Sequence, residues 1–405
     1  MNRRDILAGL GASALAAGPA RAAGQPAWLS PQLPDGTRAE ATVQKLPGKQ
    51  GLICLADRPP NYESPIDTFG TAITPNDRFF VRYHLAGIPS MADLGKYTLS
   101  VGGDAAERPF TLGLDNLRQD FAQAEVTAVC QCSGNRRGLS SPHVAGVEWG
   151  YGAMGDAVWR GPRLKDVLAK AGVKPTALEV WLNGADGPVL PTTPDFQKSL
   201  PMEKAMADEV IIATTMNGAP LPHLNGFPAR LVVPGWTATY WMKQVADIRA
   251  LSQPLASFWM NTAYRIPKGK FPVIDRFMSQ ESETTTPITE ILVNSLMTNV
   301  ADGQRLAADQ PMTIRGIAWD GGYGIRSVEV SIDGGRSWQT AELGESRGRF
   351  SFRGWQIAYA PRAAGRVIIL ARASSVQGTS QPAELIFNAP GYHNNVAQKI
   401  AVDLV

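Results

Sequence analysis

The chain reads as an α+β domain followed by an immunoglobulin-like β-sandwich, and three observations predict this. At 405 residues it exceeds the length at which one hydrophobic core keeps growing, so two domains are expected. Between about 60 and 280, short apolar strands alternate with turns and a few helical patterns, without a long parallel βαβ rhythm. Between 288 and 388, about seven strand-like runs follow one another, separated by turns, which is a sandwich signature.

In chain order, residues 1–22 come first. Arg3 and Arg4 precede an apolar small-residue run over 10–18 and the small-x-small site Ala20-Arg21-Ala22. The run is too short to span a membrane, and the paired arginines resemble a twin-arginine signal read by machinery that exports folded proteins to the periplasm. Without these residues 36 basic side chains face 35 acidic ones, a near balance that argues against bulk nucleic-acid or anionic-membrane binding. Residues 23–60 are rich in Pro, Gly and charge and are expected to form an extended arm on a domain surface. Strands are expected over 79–83, 97–101, 178–182 and 229–233, with a helix over Leu164–Ala171. The polar stretch 279–286 marks a boundary. Beyond it, strand runs are expected over 291–296, 312–319, 328–332, 337–343, 350–357, 367–373 and 383–387, with alternation clearest at Val328, Val330 and Ile332 before the turn Asp333-Gly334-Gly335.

Chemistry concentrates in Val129-Cys130-Gln131-Cys132-Ser133-Gly134-Asn135-Arg136-Arg137-Gly138. The β-branched run over 126–129 suits a buried strand, and Ser133-Gly134-Asn135 turns the chain at its end, so Cys132 falls on a loop. A thiolate there suits a soft transition metal, and the arginines suit an anion. The Cys-x-Cys pair alone reads equally as core filler, and Cys130 is assigned to packing. In Arg82-Tyr83-His84, strand alternation puts Arg82 and His84 on one face, able to hold an anion or merely to decorate an exposed edge. In the segment from Leu221 to Lys243, Asn225-Gly226 is a turn, and Arg230 and Lys243 flank an apolar strand as phosphate contacts or as solvated loop charges. Three cysteines in an exported chain leave at least one thiol unpaired. No Cys-x-x-Cys-His haem attachment and no flavin or nicotinamide fingerprint occurs, so no haem is expected in this chain.

Together these segments resemble the sulfite oxidase family of molybdenum enzymes over nearly all of the mature chain. The resemblance implies that Cys132 ligates molybdenum beside one pyranopterin (molybdopterin), with His84, Asn225, Arg230 and Lys243 binding that cofactor. It implies that Arg82 and Arg137 bind the substrate oxyanion, that Tyr264 is the active-site tyrosine and that Trp149 is the pocket tryptophan. Lys399 lies near where some members place another pocket arginine. Vertebrate members carry a histidine before Gly-Phe-Pro where this chain has Asn225, which leaves open whether Asn225 or His223 meets the pterin phosphate. The implied layout is a molybdopterin-binding catalytic domain over 61–280 and an immunoglobulin-like dimerisation domain over 285–405, hence a homodimer. The implied activity is oxidation of sulfite to sulfate, with electrons passed to a separate c-type cytochrome. Three alternatives share these features: a sulfane dehydrogenase subunit of thiosulfate oxidation, a sulfoxide or nitrate reductase of the same family, and an exported immunoglobulin-like binding protein with a structural thiol.

Overall fold

A computed structural model describes residues 43–44, 46–272, 279–361 and 363–405. The signal peptide expected over 1–22 lies outside the described residues, as does the arm up to residue 42. The rest of the arm is not an overlay. Leu52–Asp57 pairs antiparallel with Pro60–Glu63, in a sheet completed by Val43–Gln44 and Val81–Arg82. Leu52, Tyr62, Val81 and Tyr83 close a small apolar core of their own, which holds the stretch in the fold. The strand expected over 79–83 shrinks to Val81–Arg82, because Phe79 and Phe80 turn into the main core.

That core packs around a five-stranded sheet with spatial order Gln197–Pro201, Glu179–Gly184, Val245–Leu251, Leu99–Gly102, Phe110–Leu112. The helix Leu164–Ala171 forms as expected: Leu164, Val167, Leu168 and Ala171 bury one stripe, and Gly172 ends it at φ 65°, in the left-handed region.

The site depends on a long hairpin. Gln123–Gln131 pairs antiparallel with Met154–Pro162 in unbroken register from Gln123 opposite Pro162 to Gln131 opposite Met154. Val126, Thr127 and Val129 favour the extended backbone, and the last residues, Ala128 to Gln131, are buried on both faces. The strand therefore delivers Cys132 to the interior rather than to solvent.

From Thr285 onward the chain is β-rich. One sheet of the sandwich orders Asn294–Met297, Met312–Trp319, Arg353–Tyr359, Glu342–Leu343; the other orders Arg305–Leu306, Gln398–Leu404, Gly365–Ser375, Ile325–Ser331, Gln339–Thr340. The run expected over 337–343 is thus split between two sheets. No strand forms over 383–387, because this segment leaves the sandwich to pack on the first domain. The strand Gln398–Leu404 takes the place in the sheet, with Ile400, Val402 and Leu404 facing inward at period two.

The two units share an apolar joint. Phe69, Val129 and Met154 from the first pack with Ile291, Trp319 and Phe352 from the second. Polar bonds cross it as well: Trp319 Nε1 donates to Gln131 Oε1 (2.6 Å), and the Asp156 carboxylate accepts from Ser351 Oγ (2.5 Å) and the Phe352 N–H (3.0 Å). Burial pushes the Asp156 carboxyl up to about 7. Substituting Asp156→Ala removes the shared acceptor of two buried donors and should destabilise the protein by ~1–3 kcal/mol, read as a lowered calorimetric melting temperature. An unchanged melting temperature would show that this joint contributes nothing.

Candidate active site

The loop after Gln131 is zipped to the returning strand by its backbone. The Cys132 N–H donates to Ala153 O (2.9 Å), the Ala153 N–H donates to Asn135 Oδ1 (3.1 Å), and the Arg136 N–H donates to Gly150 O (2.8 Å). Arg136 takes a left-handed φ of 69° and buries its guanidinium on Asn294 Oδ1 (2.9 Å) and Val396 O (2.7 Å). Thus the second arginine of the motif's pair, not the first, is left near the site. Cys132, 7% exposed, stands on the wall of a cavity.

The cavity brings together most of the expected residues: Arg82, His84, Cys132, Asn225, Arg230, Lys243 and Tyr264 all line it. Arg82 Nη2 donates to the Tyr264 hydroxyl oxygen (3.5 Å), whose proton is therefore assigned to His84 Nε2, also in hydrogen-bond contact. His84 stacks on Phe196 at 3.6 Å, and burial, with Arg82, Lys243 and Lys198 nearby, holds its pKa well below the usual range, so the imidazole is neutral. His84 positions Tyr264. The Tyr264 backbone is itself left-handed, φ 59°, a costly conformation for a non-glycine residue and one found at functional sites.

Arg230 is buried, donates to Asn225 O (3.1 Å) and Cys130 Sγ (3.2 Å), and leaves Nε without a hydrogen-bond partner. Cys130, expected only to pack, is thus also an acceptor. Lys243 Nζ donates to Arg82 O (2.8 Å) and lies 4.0 Å from the centre of the Tyr83 ring; burial brings its pKa down to about 7, against the pull of Asp186. Asn225 is held on both sides, by Lys49 Nζ on Oδ1 and by Nδ2 donating to Phe80 O (3.0 Å). His223 is engaged with Pro89 O (2.8 Å) and does not line the cavity, so Asn225 is the one placed to meet a ligand there.

Three expected residues are elsewhere. Arg137 does not line the cavity: Nε donates to Pro390 O (2.9 Å) and Nη1 to Val147 O (3.2 Å), with the guanidinium over the Tyr392 ring. Its guanidinium lies against Gly134, where a Cβ would sit 2.5 Å from Nη2 and displace it. Trp149 is fully buried behind the loop, its Nε1 without a partner among the described residues. Lys399 is exposed on the strand Gln398–Leu404, away from the cavity. Sequence reasoning missed Asp186, Phe196 and Ser133 on the cavity wall and Lys49 behind it. Asp186, in Gly184-Ala185-Asp186-Gly187, and Ser133, in Ser133-Gly134-Asn135, carried only the local signal of a turn.

These residues fit an anionic metal cofactor. Arg82, Arg230 and Lys243 face the cavity with Asp186 as the carboxylate among its lining residues, and Arg230 Nε and Ser133 Oγ are buried without partners, as a bound phosphate would require. Among the described residues there is no group of three or more His, Cys, Asp or Glu side chains that could hold a metal ion. Burial also holds Lys49 and Lys198 down to about 7. Folded lysines near 7 bind fewer protons than unfolded ones near 10.5, so stability should rise with pH in this window. Above the range of Glu63, whose carboxyl burial raises to about 8, the lysines should dominate. A cofactor-free preparation should therefore melt at rising temperature from pH 8 to about 9.5, and a falling series would contradict the burial of these ammonium groups.

Comparison with known proteins agrees with this geometry. Residues 85–259 match the oxidoreductase molybdopterin binding domain, and 285–404 the Mo-co oxidoreductase dimerisation domain. Mitochondrial sulfite oxidase of Rattus norvegicus is 35% identical over 86% of this chain and 65% of its own length, and sulfite oxidase of Arabidopsis thaliana 30% identical over 76% and 79%. The chain therefore spans just under two thirds of the rat protein. Nitrate reductase [NADH] of Hordeum vulgare is 30% identical over 90% of this chain and 42% of its own. Among solved structures, the sulfane dehydrogenase SoxCD from Paracoccus pantotrophus superposes with a TM-score of 0.73 at 25% identity, covering 92% of both chains. The chain belongs to the sulfite oxidase family of molybdopterin oxidoreductases.

Proposed function

We propose that the protein oxidises sulfite to sulfate and delivers the two electrons singly to a separate c-type cytochrome. The observation that carries this reading is the recessed thiol of Cys132, which shares a cavity with Arg82 and the Tyr264–His84 pair. A cavity whose Cys132 and Tyr264 are 7% and 6% exposed admits a small free oxyanion more readily than sulfur carried on a bulky group. Export to the periplasm through the paired arginines and assembly as a homodimer through the second domain belong to the same proposal.

When bound, a molybdenum-pyranopterin supplies the oxygen-transfer and two-electron redox chemistry. Cys132 would hold the metal as thiolate, with Arg230, Lys243, Ser133 and Asn225 on the pterin side. Arg82 binds the anion by charge-assisted hydrogen bonds and orients it. Burial raises the Tyr264 phenol above its ordinary pKa, so it stays protonated and acts as a donor, not a base. Sulfite and water give sulfate, two electrons and two protons that leave to solvent; neutral His84, bonded through Nε2 to the Tyr264 hydroxyl, fixes the orientation of that hydroxyl in the cavity.

The sulfane dehydrogenase reading rests on the likeness to SoxCD, and an assay with carrier-bound sulfur in place of free sulfite separates the two. Purified metal-loaded protein should reduce cytochrome c in a sulfite-dependent manner and oxygen slowly; equal rates with both acceptors would overturn the acceptor assignment. Arg82→Gln removes a charge-assisted contact of ~1.5–3 kcal/mol and should cost about ten- to a hundredfold in kcat/KM for sulfite. An unchanged value would remove Arg82 from substrate binding.

A further inference from the structure

The C-terminal unit sends one aromatic side chain to the edge of the active site. Residues 388–395 leave the sandwich and cross to the loop that carries Cys132. There the His393 N–H donates to Ser133 O (3.4 Å) and Asn394 Nδ2 donates to Arg136 O (3.0 Å). Just before these anchors, Asn388 brackets Tyr392, accepting its N–H on Oδ1 (2.9 Å) and donating to its carbonyl through Nδ2 (2.8 Å). Gly391 adopts φ 62°, where a Cβ would sit 2.5 Å from Val144 Cγ2 and 2.8 Å from Arg137 Cγ, so the crossing is tight.

Tyr392, 8% exposed, is placed between two groups. Its ring stacks on Tyr264 with centroids 5.3 Å apart and planes 11° from parallel. It also carries the Arg137 guanidinium, whose carbon lies 5.4 Å from the ring centre while Nε donates to Pro390 O in the same segment. Tyr264 holds a left-handed backbone that needs support from its surroundings, and the stack supplies it. Arg137 has Nε and Nη1 committed to carbonyls, so the ring sets the direction of the guanidinium edge that remains.

We propose that Tyr392 is a positioning residue that sets oxyanion affinity: its ring, fixed by the second domain, holds the Tyr264 phenol on the cavity wall and packs the Arg137 guanidinium behind it. The Tyr264 phenol need not move on binding, so the anion meets a preorganised wall. The aromatic ring is the working part, because both contacts are ring contacts. The kinetic part of this inference rests on sulfite being the substrate; the binding part does not.

The test compares Tyr392→Leu and Tyr392→Phe in the full-length, metal-loaded protein, with molybdenum content and melting temperature confirming that each is folded. Tyr392→Leu should raise the KM for sulfite about tenfold with kcat within about threefold of the parent, and weaken inorganic sulfate binding, by calorimetric titration, about tenfold. Tyr392→Phe, which keeps the ring, should stay within about threefold on every measure. If Tyr392→Leu does not fold, Tyr392→Met is read by the same criteria. The inference is overturned if the ring-deleted variant keeps sulfate affinity within about twofold, if kcat alone falls, or if Tyr392→Phe loses as much as Tyr392→Leu. Were sulfite not turned over by the parent, sulfate titration would still read the role of Tyr392.

Discussion

Buried positive charge around a thiol is the constraint on which the rest of this structure depends. Arg82, Arg230 and Lys243 converge on one cavity with Asp186 as the facing carboxylate, and Lys49 stands behind them. An isolated ammonium in such a setting gives up its proton, which is why burial brings Lys243 down to about 7. A bound anion would reverse that tendency, and Cys132 would give it a point of attachment. The protein thus stores an electrostatic deficit that its cofactor would relieve. Carboxylates paired with the same cations would stabilise the empty protein and obstruct the filled one.

Holding that arrangement requires both halves of the chain. The hairpin Gln123–Gln131 with Met154–Pro162 brings Cys132 inward, and the second unit clamps the loop from the other side through Asn294, Asn394 and Val396. Arg136, Tyr264 and His393 are non-glycine residues with left-handed backbone, and all three lie where these elements meet. Such conformations persist only where the surroundings over-determine them. The sandwich is therefore part of the site's architecture as well as the region matched by the dimerisation domain.

Much of the site could be read from local sequence because its chemistry is carried by contiguous motifs. Strand alternation placed Arg82 and His84 together, and they do converge on Tyr264, although their strand is only Val81–Arg82. The turn after Gln131, the helix Leu164–Ala171 and the strand Met312–Trp319 follow from β-branched runs, helical spacing and alternation. What escaped was set by long-range packing. Lys49 reaches Asn225 across most of the first domain, Arg137 is drawn toward Pro390, and Trp149 turns into the core. The error over 383–387 has the same origin: its apolar run matched a strand, but docking on the first domain won, and the weaker alternation of Gln398–Leu404 filled the sheet. Left-handed tyrosine and arginine carry no local signal at all.

The claim that Cys132 attaches the metal is tested most directly by molybdenum K-edge X-ray absorption on the parent and on Cys132→Ser, both loaded with pterin. The account predicts one sulfur fewer around molybdenum in the variant. An identical sulfur shell in the two proteins would contradict it.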